Sequence, residues 1–353
     1  MKTGIGVFVG LWMALLLGSC SPMRWISVET YVPAILTMPP EVKTVMIVNN
    51  AAQQPDRMGH RIVLNNTKDS LVAFSVDSMA YRFCVELGKL IATSTVFDDV
   101  RMCEDTLRTD SVFFAKRIFT LEQVKRMYAD YGVDALISLD NFFILSEAYQ
   151  KMRYERAYGK AIRLDISGEL RAFWTGQTEV QVIPFADSLF WYWSEYYDFD
   201  TMYATEVASD PDVYESIRIL SEHIIEKLST YFVPFWSAEN RWYYTGITSA
   251  WKQGAAYAGK NQWDNAFKTW EPLYNSRLKW KQQAQMASNL ALYYEMKGNF
   301  DKAGEYAEIA YKLMKEQIKD EKDSVLKLQQ AYVGILKKRA ENDVVLSKQL
   351  REQ

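Results

Sequence analysis

The stretch "VKTVMIVNN", residues 42–50, holds an unbroken apolar run between a lysine–threonine pair and two asparagines. A short apolar run that is rich in β-branched residues and bounded by polar ones predicts a buried β-strand. The polar segment that follows, with Asn49, Asn50 and Gly59, has the composition of a loop. The chain beyond this loop decides which kind of sheet the strand joins.

Helices and strands alternate downstream of this strand. The apolar residues of 75–92 and 121–131 recur with helical spacing, and the second segment ends before Gly132, a common helix stop. Residues 96–104 and 133–140 have strand patterns. Alternating strands and helices predict βαβ units, and therefore a sheet with parallel neighbours.

The next block changes to the pattern of a β-hairpin. "IRLDISGELRAFW" at 162–174 and "TEVQVIPF" at 178–185 alternate apolar and polar residues on either side of a turn at Gly176. The aromatic stretch "SLFWYWSEY" at 188–196 predicts one more strand. These strands are expected to extend the sheet with antiparallel members.

The order of these elements, with the segment Gly132-Val133-Asp134-Ala135 before the third strand, resembles the N-terminal domain of TolB-type and CsgG-type envelope proteins. The resemblance spans residues 42–190 and depends on apolar patterns rather than on chemical signatures. It implies a mixed α/β domain, which we place at residues 42–235.

A predicted helix at 211–230 and a predicted hinge at 234–244 lead into the clearest internal repeat. Two successive units resemble tetratricopeptide repeats, with "GNFDKA" at the turn of the second. The residues that carry this resemblance are Gly254, Tyr257, Ala266 and Trp270, and then Ala287, Leu290, Ala291, Tyr294, Gly298, Ala303, Ala307 and Ala310. Small residues recur in such repeats because paired helices must approach closely.

We therefore expect an α+β protein with two domains. A mixed α/β sheet domain at 42–235 is followed by an all-α tetratricopeptide-like helical repeat region at 236–353. The segment 321–350, charged on most faces, is expected to be the C-terminal capping helix of this region.

The beginning of the chain has the pattern of an export signal. A charged residue precedes an apolar segment at 5–17, which is too short to cross a bilayer and is typical of a secretory signal peptide. Leu17-Gly18-Ser19-Cys20 resembles a bacterial lipobox, which implies removal of residues 1–19 as a lipoprotein signal peptide and lipidation of Cys20. An ordinary signal peptide with an incidental cysteine is the alternative. The prolines within 20–41 predict a lipidated tether.

Ser21 stands where lipoproteins of the inner membrane carry an aspartate, so the resemblance implies an outer-membrane lipid anchor. No acidic run of the kind that some surface-exported lipoproteins carry follows Cys20, which favours the periplasmic face. The full layout resembles an uncharacterised family of Bacteroidetes-type lipoproteins. Asp-Ser/Thr-apolar triplets resemble the O-glycosylation signal of such exported proteins, and helix capping is the alternative explanation. The triplets begin at Asp69, Asp77, Asp105, Asp110, Asp187, Asp200 and Asp323.

Composition and motifs argue against several classes of function. The net charge is −3 with both signs mixed, which provides no basic footprint for nucleic acid. The sequence has no GxSxG, Gly-rich phosphate loop, HExxH or CxxC, so we expect no enzyme activity, no cofactor and no metal site. His60 is expected to lie exposed in a loop, and His223 to be structural. Cys84 and Cys103 are expected to be buried thiols, with a disulfide as the alternative.

The sequence favours a membrane-tethered scaffold whose helical repeats bind a protein or peptide. By resemblance, the first helix of each pair lines a concave surface. The candidate binding residues there are Lys252, Tyr257, Asn289 and Tyr293. One alternative is a glycan-binding lipoprotein, because the aromatic rings clustered at 190–203 can stack on sugars. A second is a subunit of an envelope assembly, as the TolB-type resemblance implies.

Overall fold

The computed structural model describes residues 23–64, 68–71, 76, 78–105, 107–108, 112–113, 115, 117–154, 157–177, 179–194, 196–197, 204–205 and 213–350. The signal segment 1–19 and Cys20 lie outside the described residues. The chain forms two compact units. The helical unit combines the described residues up to Val32 with Trp236–Leu346, and the α/β unit combines Pro33–Phe235 with the chain from Ser347.

After β1 (Met23–Val32), which belongs to the helical unit, the described residues of the α/β unit form a mixed sheet of seven strands. Its strands are β2 (Thr44–Asn49), β3 (His60–Leu64), β4 (Lys68–Leu71), β5 (Asp99–Met102), β6 (Ala135–Tyr154), β7 (Ala157–Trp174) and β8 (Gln181–Ser194). Its helices are α1 (Met79–Ala92), α2 (Leu121–Tyr131) and α3 (Val213–Ser229). Two short strands, β9 (Tyr196–Tyr197) and β10 (Ala204–Thr205), pair with each other.

The central strand of the sheet is β6. It pairs in parallel with β2, where Val45 lies opposite Ala135, and further along with β3, where His60 lies opposite Ser146. β2 also pairs in parallel with β5, and β7 and β8 continue the sheet beyond β6 as antiparallel strands. The predicted parallel neighbours and antiparallel extension are both present, so the mixed α/β sheet is confirmed.

The stretch 42–50 supplies β2, and helices cover both faces of this strand. Val45 and Ile47 pack with residues of α1 and α3, whereas Met46 and Val48 pack with residues of α2. None of these four side chains is more than 2% exposed. The apolar run is unbroken because alternate side chains of a strand point to opposite faces, and both faces are buried here.

Local signals fix the boundaries of α2. Thr120 Oγ1 accepts a hydrogen bond from the amide of Gln123, and the Gln123 side chain accepts one from the amide of Thr120. This reciprocal pair is a capping box, which satisfies two amides that the first helical turn leaves free. Gly132 ends the helix with a φ of +60°, a conformation that glycine adopts without steric cost.

The strand division predicted for the antiparallel block is wrong in one respect. The segments 178–185 and 188–196 were expected to form two strands, but one unbroken strand, β8, runs through both as far as Ser194. Along it, buried Ile183 alternates with exposed Val182 and Pro184. A proline is tolerated in this edge strand because its missing amide is not needed by a further neighbour.

The helical unit confirms the predicted helical region. Its helices are α4 (Ser249–Ala258), α5 (Trp263–Tyr274), α6 (Trp280–Met296), α7 (Phe300–Gln317) and α8 (Ser324–Gln349), the last of which ends beyond the unit. α4 packs against α5, α5 against α6, and α6 against α7. Ala266, Ala287 and Ala303 are fully buried where the helices meet. A Cβ at Gly254 would lie 2.4 Å from Nε1 of Trp270, so α4 approaches α5 too closely there for a larger residue.

Residues 23–32 correct the tether prediction. They form β1, which pairs with β11 (Phe235–Tyr244) in a two-stranded sheet within the helical unit. The ring of Trp25 contacts that of Trp242, and the ring of Tyr31 contacts that of Trp236, so the two strands run antiparallel. The expected tether at 20–41 is therefore wrong over β1, and the expected hinge at 234–244 is a strand.

The sequence could not reveal this pairing. Thr30 Oγ1 donates a hydrogen bond to the carbonyl of Ser237, which lies 207 residues later. Each strand is ten residues long and mixes polar with apolar residues, and neither local pattern indicates which distant segment it pairs with. The pairing with β11 and the burial of Val28 and Thr30, both at most 3% exposed, distinguish β1 from a tether.

Candidate functional site

The helical unit contains a groove of about 590 Å³ between the first helices of the two helix pairs, α4 and α6. The loop at 245–247 and one residue of β1 complete its walls. We call it the basic groove. It is lined by Arg24, Thr245, Gly246, Ile247, Trp251, Lys252, Ala255, Ala256, Lys281, Gln282 and Gln285.

The lining of the basic groove has a one-sided charge. Arg24, Lys252 and Lys281 each come from a different element, and all three residues are exposed. No aspartate or glutamate is among the described residues that line the groove. Like charges brought together around a concave surface raise the local concentration of anions. The groove can therefore attract carboxylates, while its two glutamines offer both donors and acceptors.

The floor of the groove is fixed by a tight contact between loop and helix. Trp251 Nε1 donates a hydrogen bond of 2.8 Å to the carbonyl of Tyr244, and Thr248 caps α4 at the amide of Trp251. Gly246 has a φ of +59°, and a Cβ there would lie 2.0 Å from Cδ2 of Trp251. The loop can lie on the indole ring only because residue 246 has no side chain.

Of the four residues predicted to bind a partner, Lys252 alone lines the groove among the described residues. Asn289 contradicts its predicted role, because it is 0% exposed. Its Oδ1 accepts a hydrogen bond of 2.7 Å from the amide of Tyr244, and its Nδ2 donates one of 2.8 Å to the carbonyl of the same residue. The Asn289 side chain thus makes the two hydrogen bonds to Tyr244 that a neighbouring strand would make at the end of β11. It also positions the loop that forms a wall of the groove.

Tyr257 and Tyr293 are half-buried and lie outside the groove lining. Tyr293 stacks on Phe267 with 4.3 Å between ring centroids, and its hydroxyl donates to Asp264 at 3.2 Å. It therefore joins α5 to α6 rather than facing a partner. Tyr257 accepts a hydrogen bond from Gln253 within its own helix. Both tyrosines were predicted from their positions along the helices, but the rotation of the helices turns them away from the groove.

Sequence reasoning missed most of the groove. Lys281 and Gln285 lie four residues apart on α6, and so on one face of it, a pattern that the sequence does show. The same argument that selected Lys252 on α4 could therefore have found them. Arg24 had no such signal, because its strand was expected to be a tether.

The helical unit also contains a cluster of buried charges around Glu295. Its carboxylate accepts hydrogen bonds from Arg241 at 2.9 Å and from the Tyr332 hydroxyl at 2.7 Å, and it also pairs with Arg339. Burial alone would lower the pKa of Arg241, but its bonds to Glu295 and Glu239 outweigh burial and raise this pKa. Every partner is satisfied, so this cluster is a structural element of the unit.

The α/β unit contains polar groups of its own. Asp140 follows Leu139 at a register shift of β6 and accepts hydrogen bonds from Asn50, Ser138 and Arg171. Burial raises the pKa of Asp140, although these three partners oppose the shift. These hydrogen bonds within the α/β unit satisfy the carboxylate of Asp140.

His60 contradicts the expectation that it is exposed. His60 is the first residue of β3 and is 2% exposed. Its Nδ1 lies 2.8 Å from the Ser146 hydroxyl. Burial lowers the pKa of His60, while the nearby charge of Asp56 opposes this shift. His223 is exposed on α3, 3.7 Å from Asp187. The loop composition around Gly59 could not reveal that β3 continues the sheet beside β6.

The two cysteines of the described chain, Cys84 and Cys103, are unpaired and buried. Burial raises the pKa of both thiols, which keeps them protonated and poorly reactive. Within the described residues, no group of three or more His, Cys, Asp and Glu side chains is placed to hold a metal ion. None of the described helices combines the length and the apolar character that crossing a bilayer requires.

The aromatic cluster of the glycan alternative lies on β8. Phe190 is 50% exposed and Trp191 is 39% exposed. Because they are consecutive residues of a strand, their rings point to opposite faces of the sheet. They do not form one stacking platform. Phe199 and Tyr203 lie outside the described residues.

Comparisons with known proteins identify families without a known function. One family model, "Domain of unknown function (DUF8603)", matches residues 42–244, and a second, "Domain of unknown function (DUF6340)", matches residues 252–338. No curated protein matches the chain.

Two solved structures are similar to part of the chain. One is described as "Crystal structure of uncharacterized protein", with 10% identity and a TM-score of 0.24 over 54% of this chain and 97% of that one. The other is the hypothetical protein CT253 from Chlamydia trachomatis, with 13% identity and a TM-score of 0.26 over 54% and 98%. Scores this low support no argument about function. The first family model covers more than half of the chain, and the chain therefore belongs to the family described as "Domain of unknown function (DUF8603)".

Proposed function

We propose that this protein is a non-enzymatic, lipid-anchored scaffold of the outer membrane that faces the periplasm. The lipid is attached to Cys20, and the protein binds an acidic peptide segment of a partner protein in the basic groove. The helix pairs α4–α5 and α6–α7 serve as tetratricopeptide-like repeats that present this groove.

One observation supports the acidic peptide above other ligands. The groove places three cations around a lining that also contains exposed apolar surface, because Ile247 is 78% exposed at its rim. A segment that alternates carboxylates with apolar side chains complements both features. Its charges would speed association and select the register, since electrostatic complementarity acts mainly on specificity and on the association rate.

The groove can be tested with a defined probe. We would measure the fluorescence anisotropy of a labelled ten-residue peptide of alternating Glu and Leu, and of the same peptide with Gln in place of Glu. The Glu peptide should bind more tightly, and its affinity should fall as salt rises. The double variant Lys252→Glu, Lys281→Glu should weaken binding at least tenfold.

The double variant Lys260→Glu, Lys312→Glu provides the matched control, because both lysines are exposed and neither lines the groove. It changes the net charge by the same amount and should leave the affinity nearly unchanged. Equal losses in the two variants would mean that net charge, and not the groove, determines binding, and the proposal would fail.

The anchor has its own test. Cells grown with an alkyne analogue of palmitate should incorporate the label into the protein, and Cys20→Ala should abolish incorporation. An unlabelled wild-type protein in the membrane fraction would contradict lipidation of Cys20.

A glycan-binding lipoprotein is the second candidate, and exposed Phe190 is the observation that favours it. Phe190 lies opposite Arg163 of β7, so one ring stands beside one cation on the sheet. Affinity gels with a panel of polysaccharides test this candidate, since Phe190→Ala should abolish any retardation. The envelope-assembly alternative predicts an oligomer, which native mass spectrometry of the detergent-extracted protein would detect.

A further inference from the structure

The two-stranded sheet of β1 and β11 has an exposed face rich in aromatic residues, which we call the outer face. Trp25 is 55% exposed and Trp236 is 68% exposed, the largest exposed aromatic fractions among the described residues. Between them the side chains are small or polar. Trp242 contacts the ring of Trp25 on this side of the sheet, but it is 4% exposed because it packs against Tyr332 of α8. The outer face therefore consists of Trp25, Ser27, Glu29, Tyr31, Trp236, Ala238 and Asn240.

The opposite face of the same sheet belongs to the protein core. Side chains alternate between the faces of a strand, so Val28 and Thr30, both buried, point away from Trp25 and Tyr31. Arg24 also points away from Trp25, and it lines the basic groove. The outer face and the groove therefore use different faces of β1, and one can be covered while the other stays open.

The chain between the lipidation site and β1 is very short. Met23 is three residues after Cys20, and three residues reach at most about 11 Å. Trp25 is five residues after Cys20, which limits its distance to about 18 Å. Each headgroup layer of a bilayer is roughly 5–8 Å thick. A lipid on Cys20 thus holds the start of β1 against the membrane surface rather than at the end of a long tether.

We propose that the outer face lies flat on the bilayer surface that receives the lipid of Cys20, with Trp25 and Trp236 in the headgroup layer. Tryptophan and tyrosine favour this layer because one end of each side chain is apolar and the other is polar. Glu29 and Asn240, between the aromatic ends, remain in contact with water and headgroups. This inference depends on the lipid anchor of the proposed function and not on its peptide groove.

If β1 were perpendicular to the bilayer, Trp25 would still reach the membrane. The far end of the sheet therefore distinguishes the flat orientation from the perpendicular one. Tyr31 is six residues after Trp25, and six strand residues span about 20 Å. Tyr31 contacts Trp236, two residues before Ala238. Only a flat orientation places Ala238 near the headgroups.

The test uses the acylated full-length protein in vesicles of phosphatidylethanolamine and phosphatidylglycerol. Separate variants carry an environment-sensitive fluorophore at Ala238→Cys, at Ser27→Cys, and at Glu316→Cys, an exposed control at the end of α7. Cys84 and Cys103 are buried and do not compete for the label. A fraction of the lipid carries a nitroxide quencher on its headgroup, and flotation with mass spectrometry verifies acylation and attachment.

We expect quenching at positions 238 and 27 to exceed quenching at 316 at least threefold. Quenching at 27 without quenching at 238 would mean a perpendicular strand and would overturn the proposal. Equal quenching at all three positions, or none in protein that floats, would overturn it as well. If the protein is not acylated and does not float, the lipid anchor on which the inference depends is absent and the inference fails. This outcome is independent of the peptide affinity of the groove.

Discussion

The helical unit contains two clusters of charge that differ in burial and therefore in purpose. Around Glu295, whose side chain is 0% exposed, the charges of Arg241 and Arg339 are paired at short distances. Around the basic groove, Lys252 and Lys281 are exposed, and no carboxylate is among the described lining residues. Buried charges must be paired because removal from water is costly. Exposed charges of one sign are inexpensive and available to a partner.

The comparison separates stability from recognition. If it is correct, changes in the buried cluster should unfold the unit, whereas changes in the groove should alter binding and leave the fold intact. The four predictions below run from the largest expected effect on the free energy of unfolding to the smallest.

Arg241→Met should have the largest effect, a loss of about 3–5 kcal/mol in the free energy of unfolding, because it removes the more deeply buried of the two arginines that pair with Glu295. Urea unfolding of the helical unit, followed by tryptophan fluorescence, measures it. The double variant Arg241→Met, Glu295→Leu should recover more than half of the loss, since it removes the uncompensated charge. No recovery would mean that the cluster contributes packing rather than charge pairing.

Asn289→Ala should cost about 2 kcal/mol, because the buried amide and carbonyl of Tyr244 lose hydrogen bonds that no water replaces. Peptide affinity should fall as well, since Tyr244 leads into the loop that walls the groove. Asn265→Ala, on the exposed surface of α5, is the control and should change neither quantity. An unchanged unfolding free energy in Asn289→Ala would show that the contact does not hold β11.

Asp134→Asn tests an intermediate case in the α/β unit, a half-buried carboxylate with three donors. Burial alone would raise the pKa of Asp134, but hydrogen bonds from Lys43 and Thr44 outweigh it and lower this pKa. A carboxyl whose pKa is lower in the folded state stabilises the fold above its unfolded pKa of about 3.9. That contribution is lost as pH falls through the folded pKa.

The variant should therefore lose about 1–2 kcal/mol at pH 6, and this deficit should shrink as the pH falls below about 3.9. Unfolding in urea at several pH values, followed by circular dichroism, gives both curves. Asp130→Asn, exposed on α2, should leave the curve of the wild type unchanged. A constant difference between Asp134→Asn and wild type at every pH would contradict the assignment.

Lys252→Glu with Lys281→Glu should have the smallest effect on stability, within about 0.5 kcal/mol of the wild type. The same variant should show the largest loss of peptide affinity. If this variant loses unfolding free energy together with peptide affinity, the distinction between the two clusters is contradicted. The two lysines would then have a structural role.

The sequence predicted those features of the fold that depend on neighbours along the chain. The glycine at 132 is a local stop signal, and α2 has the predicted bounds. Asp323, one of the residues that begin Asp-Ser/Thr-apolar triplets, accepts hydrogen bonds from the amides of Val325 and Leu326. Capping therefore accounts for that triplet in the fold, as the alternative explanation expected.

The site could be predicted less well, because it depends on how helices rotate against each other. Lys252 was found and Asn289 was misplaced, although both lie on first helices of a pair. A polar residue on a helix can face solvent or bond a buried backbone, and helical spacing does not distinguish the two. The backbone that Asn289 satisfies belongs to Tyr244, 45 residues earlier.

The sequence by itself determined the elements β2, α1, β5, α2 and β6, the burial of β2 and the close packing of small residues in the helical unit. Each depends on side-chain size and polarity at short spacing, which the chain shows directly. The tertiary structure alone decided that residues 23–32 join β11, that Asn289 is buried and that three cations from β1, α4 and α6 surround one groove. These features arise from contacts between distant segments, and no local pattern records which segment a strand edge or a buried amide will meet.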